Sequence, residues 1–148
     1  MISPEEFRRY RFFAGAPGQV LNALAESSSF QRFKAGERLF DEWGVATHLM
    51  IVKSGQVNIV YHLGDDREVA AESAISGDMI AWSALLPPNK FTASAVGTQD
   101  GELIKLEGSR LREICDADPS LGYQLMLEVA KGLRDRLTGL RVQLAAAR

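Results

Sequence analysis

Between Phe30 and Leu106 the chain is cut into short apolar or alternating runs by turn residues at close intervals. Phe30-Gln31-Arg32-Phe33 alternates, Lys34-Ala35-Gly36-Glu37 turns, and Arg38-Leu39-Phe40 is a strand closed by Glu42-Trp43-Gly44. His48 to Val52 is an apolar strand, followed by a predicted hairpin at Lys53-Ser54-Gly55. Val57, Ile59 and Tyr61 alternate with polar neighbours in the next strand. Gly64-Asp65-Asp66 reads as a loop and Glu68 to Ile75 as a further strand. Thr92 to Thr98 and Glu102 to Leu106 are predicted to pair across Gln99-Asp100-Gly101. Short strands separated by glycine turns predict an antiparallel sandwich or barrel.

The flanks are helical. Ser3-Pro4-Glu5-Glu6 has an N-cap, a proline at the first helical position and a capping-box glutamate, which predicts a helix to about Phe13. After the breaker Gly15-Ala16-Pro17-Gly18, a second helix places Val20, Leu21, Leu24 and Ala25 on one face. Ser27-Ser28-Ser29 ends it. Beyond the strands, Ser109 reads as the cap of a helix from Arg110 to Ala117, and Asp118-Pro119 starts another. That last helix has no stop before Ala146, roughly 28 residues or about 42 Å. Leu121, Leu125 and Leu127 make its first half apolar nearly all round, which predicts burial. Met126, Val129, Leu133, Leu137, Leu140 and Leu144 form a narrow stripe, with Lys131, Arg134, Thr138 and Arg141 opposite. Such a seam on a helix longer than its domain predicts a homodimer. Gly132 and Gly139 each weaken the helix by about 1 kcal/mol, and are read as tolerated weak points rather than close approaches.

The 148 residues fit a single domain, with a helical lead-in over 1–29, strands over 30–106 and C-terminal helices over 107–148. The net charge of -2 gives no electrostatic drive toward nucleic acid. No apolar stretch is long enough to span a bilayer, and Met1-Ile2-Ser3-Pro4-Glu5-Glu6 lacks a basic region followed by an apolar one, so no signal peptide is expected. The lone Cys115 cannot form an intramolecular disulfide or hold a cysteine-ligated cluster, and it suits a cytoplasmic protein.

The stretch Ser76 to Ala95 holds the candidate site. A Ser76-Gly77-Asp78 turn leads into a compact apolar run, Pro87-Pro88 closes it, and Phe91, Ala93 and Ala95 alternate with Thr92 and Ser94. This frame resembles the phosphate-binding cassette of the cyclic-nucleotide-binding domains found in catabolite-activator-like regulators and cyclic-nucleotide-dependent kinases. The family's Gly-Asp-x-x-Gly-Glu-x-Ala-Leu-Leu reads here Gly77-Asp78-Met79-Ile80-Ala81-Trp82-Ser83-Ala84-Leu85-Leu86. The frames Phe33-Lys34-Ala35-Gly36-Glu37-x-Leu39-Phe40 and Ile51-x-x-x-Gly55-x-Val57 are similar to its β-roll. The resemblance implies a mainly β fold: a double-stranded β-helix or jelly roll with N-terminal helices and a long C-terminal helix. It also implies a regulatory domain, not an enzyme, in which ligand under the cassette changes how that helix packs.

The family's two polar anchors are absent. Ala81-Trp82 replaces the Gly-Glu pair that binds the ribose, and Phe91 stands where the phosphate-binding arginine falls. The candidate pocket is therefore Gly77, Asp78, Ala81, Trp82, Ser83, Ala84, Leu85, Lys90, Phe91 and Thr92. Trp82 either fills this pocket against Leu85 and Phe91 or stacks on a different ligand. Filling is preferred, because buried aromatics usually belong to cores. Lys90 is the nearest cation but reads as a loop residue beside an exposed Asn89, while the Ser83 and Ala84 amides leave a weakened anion site. Cyclic AMP and cyclic GMP are expected to bind weakly or not at all, and an unidentified small molecule is the expected effector.

Three functions stay open: a small-molecule sensor acting on a partner protein in trans, a ligand-free dimerisation or adaptor module, and a cupin-type metalloenzyme. His48 and His62 are too far apart for a ligand cluster, so no metal or cofactor is expected. In the family's transcription factors a helix-turn-helix follows the long helix; none is expected here, nor direct DNA binding. Arg8, Arg9 and Arg11 read as a solvated helix face.

Overall fold

The computed structural model describes residues 2–64 and 66–146; the Asp65 position of the predicted loop lies outside them. Strands β1 (Ser28–Phe33), β2 (Arg38–Phe40), β3 (His48–His62), β4 (Glu68–Ala74), β5 (Met79–Ile80) and β6 (Ser94–Glu107) form one antiparallel sheet. Its main path runs β1-β6-β3-β4, with β2 on β6 and β5 on β3. Helices α1 (Gly18–Glu26), α2 (Gly108–Ala117) and α3 (Pro119–Ala146) flank it. This is the predicted roll between helices, with the long C-terminal helix present.

Two predicted turns are strand interior. β3 runs through Lys53-Ser54-Gly55 and β6 through Gln99-Asp100-Gly101, and the two pair from His48↔Glu107 to Val60↔Ser94. The register shifts on either side of Ser54 and Gln56. Gly55 has φ +82°, and a Cβ there would sit 2.6 Å from the Asp100 carbonyl. A glycine that reads as a hairpin is here a bulge where two backbones meet. The same bend lets one long strand serve both layers of the roll.

The core has two parts. Leu49, Ile51, Ile104 and Leu106 face the helices, packing with Phe7, Phe13, Leu21, Leu24, Leu111, Leu121 and Leu125. Val52, Val57, Ile59, Ile80 and Leu103 face the roll interior with Phe33, Phe91 and Ala95. Covered on both sides, β3 is buried without interruption from Leu49 to Val52, which explains its unbroken apolar run.

The N-terminal helix is shorter than predicted. It is a 3₁₀ helix over Pro4–Arg9, with the Ser3 hydroxyl accepting from the Glu5 amide at 3.3 Å. Glu6 does not close a capping box; it pairs with Arg9 and with Lys53 of β3, both at 3.2 Å. Tight turns carry the chain on to Ala16, so that Phe7, Tyr10, Phe12 and Phe13 all become buried. Val20, Leu21, Leu24 and Ala25 of α1 are buried as predicted. α2 starts two residues earlier than expected, with Glu107 at its N-cap, and the Ser109 hydroxyl donates to the Glu107 carboxylate at 2.7 Å. α3 has the predicted bounds, and Asp118 caps it by accepting from the Leu121 amide at 3.3 Å.

Cys115 lies half-buried at the α2–α3 contact, beside Gly122. Burial, reinforced by Asp116 and Asp118, pushes its thiol up to about 11. The thiolate is the nucleophile, so alkylation by iodoacetamide at about pH 8 should run roughly 100-fold slower than for a free cysteine, rising as pH approaches the raised value. Mass spectrometry of timed samples checks this; free-cysteine rates would contradict it.

Candidate functional site

β5 delivers the chain to Ala81, which is left-handed at φ +61° and ψ +31°, and the 3₁₀ turn Trp82–Leu85 follows. Alanine tolerates that conformation poorly, whereas glycine would adopt it freely. Ala81 thus holds a conformation suited to glycine, the residue that the resembled frame carries at this place. Upstream, Gly77 donates to the Val52 carbonyl at 2.8 Å, and the Asp78 carbonyl accepts from the Val52 amide at 2.9 Å. The Asp78 carboxylate accepts from the Ile75 amide at 2.9 Å, holding its own turn.

The turn is also closed from below. The Asn89 side chain donates to the Ser83 and Ala84 carbonyls at 2.9 and 3.1 Å, and Arg112 of α2 donates to the latter at 2.6 Å. Asn89 is therefore half-buried and structural, not an exposed loop residue as predicted. The Ala84 amide donates to the Ala81 carbonyl at 3.2 Å, so it is spent within the turn and is not free for an anion. Ala84 and Leu85 are core residues, and Lys90 stands exposed in an isolated bridge to Val45. Lys90 lines neither cavity beside Trp82.

Trp82 is 6 % exposed, and its indole rests on α3. A Cβ on Gly132 would lie 2.8 Å from the indole Cζ3 and 3.0 Å from Cη2, so only glycine fits below the ring. Gly139 is close too, with its Cβ position 3.3 Å from the Ala71 carbonyl of β4. Both glycines mark close approach, which corrects the reading of them as mere weak points. Trp82 packs in one cluster with Leu85 as expected, but Phe91 stacks on Phe40 instead, ring centroids 3.9 Å apart.

The cation over this site is one that the sequence reading passed over. Arg136 of α3 is 8 % exposed, and its guanidinium lies 4.3 Å from the Trp82 ring centroid. Its Nε and Nη2 donate to Glu72 Oε1 of β4 at 3.1 and 2.8 Å. Indole stacking and ion pairing together satisfy a guanidinium taken out of water. Hydrophobic periodicity alone could not find it. The signal lay in a second stripe, Leu125, Val129, Gly132, Arg136, Gly139 and Gln143, spaced by fours and threes.

That stripe faces the roll. Val129 is 3 % exposed and belongs to the core, so it is not a seam residue. Gln143 donates to the Ala70 carbonyl of β4, so α3 lies along the roll well past its first half. One residue further round, Tyr123, Met126, Leu133, Leu137 and Leu144 are exposed, and Ala130, also exposed, takes the seam position assigned to Val129. Leu140 is half-buried on the same line.

Ala81, Trp82, Ser83, Phe91 and Thr92 line a space with Phe40, Ile59, Ala93 and Arg136 that amounts to only about 10 Å³. A second cavity lined by Trp82, of about 280 Å³, opens between β4, Asp78–Ile80 and α3. Arg11 stands at it and forms a two-point ion pair with Glu128 of α3 at 3.0 and 2.8 Å. This pair raises the Arg11 pKa further, and it replaces the solvated role predicted for Arg11. Arg8 is also engaged, donating to the Ala14 and Ala16 carbonyls at 3.2 Å. Among the described residues, no group of three or more His, Cys, Asp or Glu is placed to hold a metal ion. None of the helices described is long and apolar enough to cross a membrane.

Comparison with known proteins places this geometry. A solved structure from Geobacter metallireducens GS-15, described as that of a cyclic nucleotide-binding protein, superposes with a TM-score of 0.78 at 34 % identity. The match covers 93 % of this chain and 99 % of that one. The nitrogen fixation regulation protein FixK of Azorhizobium caulinodans is 28 % identical over 109 residues, 74 % of this chain and 42 % of its own. The CRP-like cAMP-activated global transcriptional regulator of Mycobacterium tuberculosis is 25 % identical over 130 residues, 88 % of this chain and 58 % of its own. The chain thus spans about half the length of these two regulators. Residues 30–118 match the cyclic nucleotide-binding domain family, so the chain belongs to that family.

Proposed function

We propose that this is a regulatory domain that does not answer to cyclic AMP or cyclic GMP. It senses a different small molecule and passes the signal through α3, as a homodimer, to a partner protein in trans. The observation that carries this reading is the Trp82 indole, seated between the cassette and Gly132 under the Arg136 guanidinium. Side chains of the domain itself occupy the space where a family ligand would sit.

Energetics support the exclusion. Each lost charged hydrogen bond costs about 1.5–3 kcal/mol, so losing both anchors weakens binding by roughly two to four orders of magnitude. The remaining space of about 10 Å³ is far below the roughly 300 Å³ at which ligand pockets begin. Binding would have to unseat Trp82 and uncover the Arg136–Glu72 pair. Calorimetry with either nucleotide at about 1 mM should register no binding, and a dissociation constant in the low micromolar range would refute the reading.

The exposed seam on α3 supports the dimer. A two-fold axis along it would set each of Met126, Leu133, Leu137, Leu140 and Leu144 near its symmetry mate. The ligand-free adaptor reading draws on the same filled site. It differs in requiring no effector, and the second cavity bears on that choice.

A further inference from the structure

Trp82 divides the space between the cassette and α3 into two unequal parts. The part it shares with Phe40, Ile59, Phe91 and Arg136 amounts to about 10 Å³, and the part it shares with β4 and α3, about 280 Å³, is open. We infer that the open part is the effector site and that it takes a small zwitterion of amino-acid type with an apolar side chain. This inference rests on the regulatory reading above and gives that reading its ligand class.

The floor of the cavity is apolar: Ala74, Met79, Ile80 and one edge of the Trp82 indole. The mouth is charged with both signs. On α3, Lys131 and Asp135 stand one turn apart on either side of Gly132, about 6 Å along the axis. The Lys131 ammonium has no ion pair or hydrogen bond with a described residue. Asp135 has only a loose contact to its neighbour Arg134 at 3.5 Å. Across the cavity, both Arg136 bonds end on Glu72 Oε1, which leaves Oε2 without a bond from Arg136. Arg11 and Glu128 satisfy each other and contribute no net charge.

A purely anionic ligand would gain from Lys131 and Arg134 but meet the carboxylates of Asp78, Asp135 and Glu72. A purely cationic one would meet the reverse. A molecule carrying a carboxylate and an ammonium on one carbon matches both, with its side chain directed to the apolar floor. The volume lies at the small end of ligand sites and suits such a molecule better than a nucleotide. Occupancy would bridge β4 to α3 on the face of the helix away from the seam, so it would act on the element proposed to carry the signal.

The test uses the full chain with Trp43→Phe, because Trp43 is 72 % exposed and would mask Trp82 emission. Proteinogenic L-amino acids are added singly at about 10 mM, ten times a dissociation constant of about 1 mM. Trp82 fluorescence and melting temperature are read. The expected result is that one or more apolar amino acids shift both, and that Lys131→Met and Asp135→Asn each weaken binding about tenfold or more. Lys90→Met, outside the cavity, should leave it unchanged. No response to any amino acid overturns the inference while the cyclic-nucleotide exclusion stands. Binding that survives both cavity variants overturns it also, because the ligand then sits elsewhere. Cyclic AMP binding in the same assay would instead overturn the reading beneath it.

Discussion

Replacing Trp82 by alanine is expected to destabilise the protein by about 3–5 kcal/mol, the range for truncating a buried aromatic side chain. For a chain of this length that lowers the melting temperature by roughly 10 °C at fixed protein concentration. Three things are lost together: the apolar area of the indole, its contact with Gly132, and the face on which Arg136 lies. The partner substitution gives a sharper result. Gly132→Ala should gain about 1 kcal/mol from helix propensity alone. Here the new Cβ would press on the indole from 2.8 Å, so the wild-type background should show a loss of about 1–3 kcal/mol. In the Trp82→Ala background the same change should become stabilising. Denaturant titration of the four proteins closes the cycle. A cost below about 1 kcal/mol for Trp82→Ala, or no change of sign for Gly132→Ala, would mean that the indole is not what holds α3 to the cassette.

Leu133→Glu should leave the fold intact and weaken self-association about 100-fold or more, giving a monomer by sedimentation. Leu133 lies at the centre of the exposed seam, 44 % exposed in the single chain, so its substitution costs little within the protomer. In a two-fold dimer the carboxylate would meet its own symmetry mate in an apolar interface, which is strongly unfavourable. Ala130→Glu should act alike. Val129→Ala is the contrast, because Val129 faces the core: it should lower stability and leave association unchanged. A wild-type protein that is monomeric at tens of micromolar would contradict the proposed dimer.

The positions of these residues show how far the sequence could be read. The roll, α1 and the bounds of α3 were legible because local chemistry specifies them: alternation, buried helix faces, and Asp118-Pro119 as a start signal. The family frame also singled out Trp82 and Phe91, and both line the space of about 10 Å³ beside the 3₁₀ turn. Gly55 and Gly101 were not. A bulge between crossing strands and a hairpin turn demand the same residue, and only the partner strand tells them apart. Val129 was misplaced because two stripes lie one residue apart on α3, and valine scores as apolar on either. Arg136 was overlooked because a buried guanidinium breaks the pattern by which buried faces are found. Its burial depends on Trp82 and Glu72, remote in sequence.

That one-residue offset between the stripes gives α3 something like a reading frame. Delete a single residue between Leu125 and Val129, and every later side chain advances by one place. Ala130 would then enter the core where Val129 packs, and Leu133 would arrive beneath an indole that admits only a hydrogen. Leu137 would replace Arg136, leaving the Glu72 carboxylate without its guanidinium. An insertion at the same point fails in the opposite sense. Even a whole turn added there would keep the faces but carry Gly132 about 5 Å along the axis from the indole and Arg136 from Glu72, so the spacing from Leu125 to Arg136 is fixed in length as well as in phase.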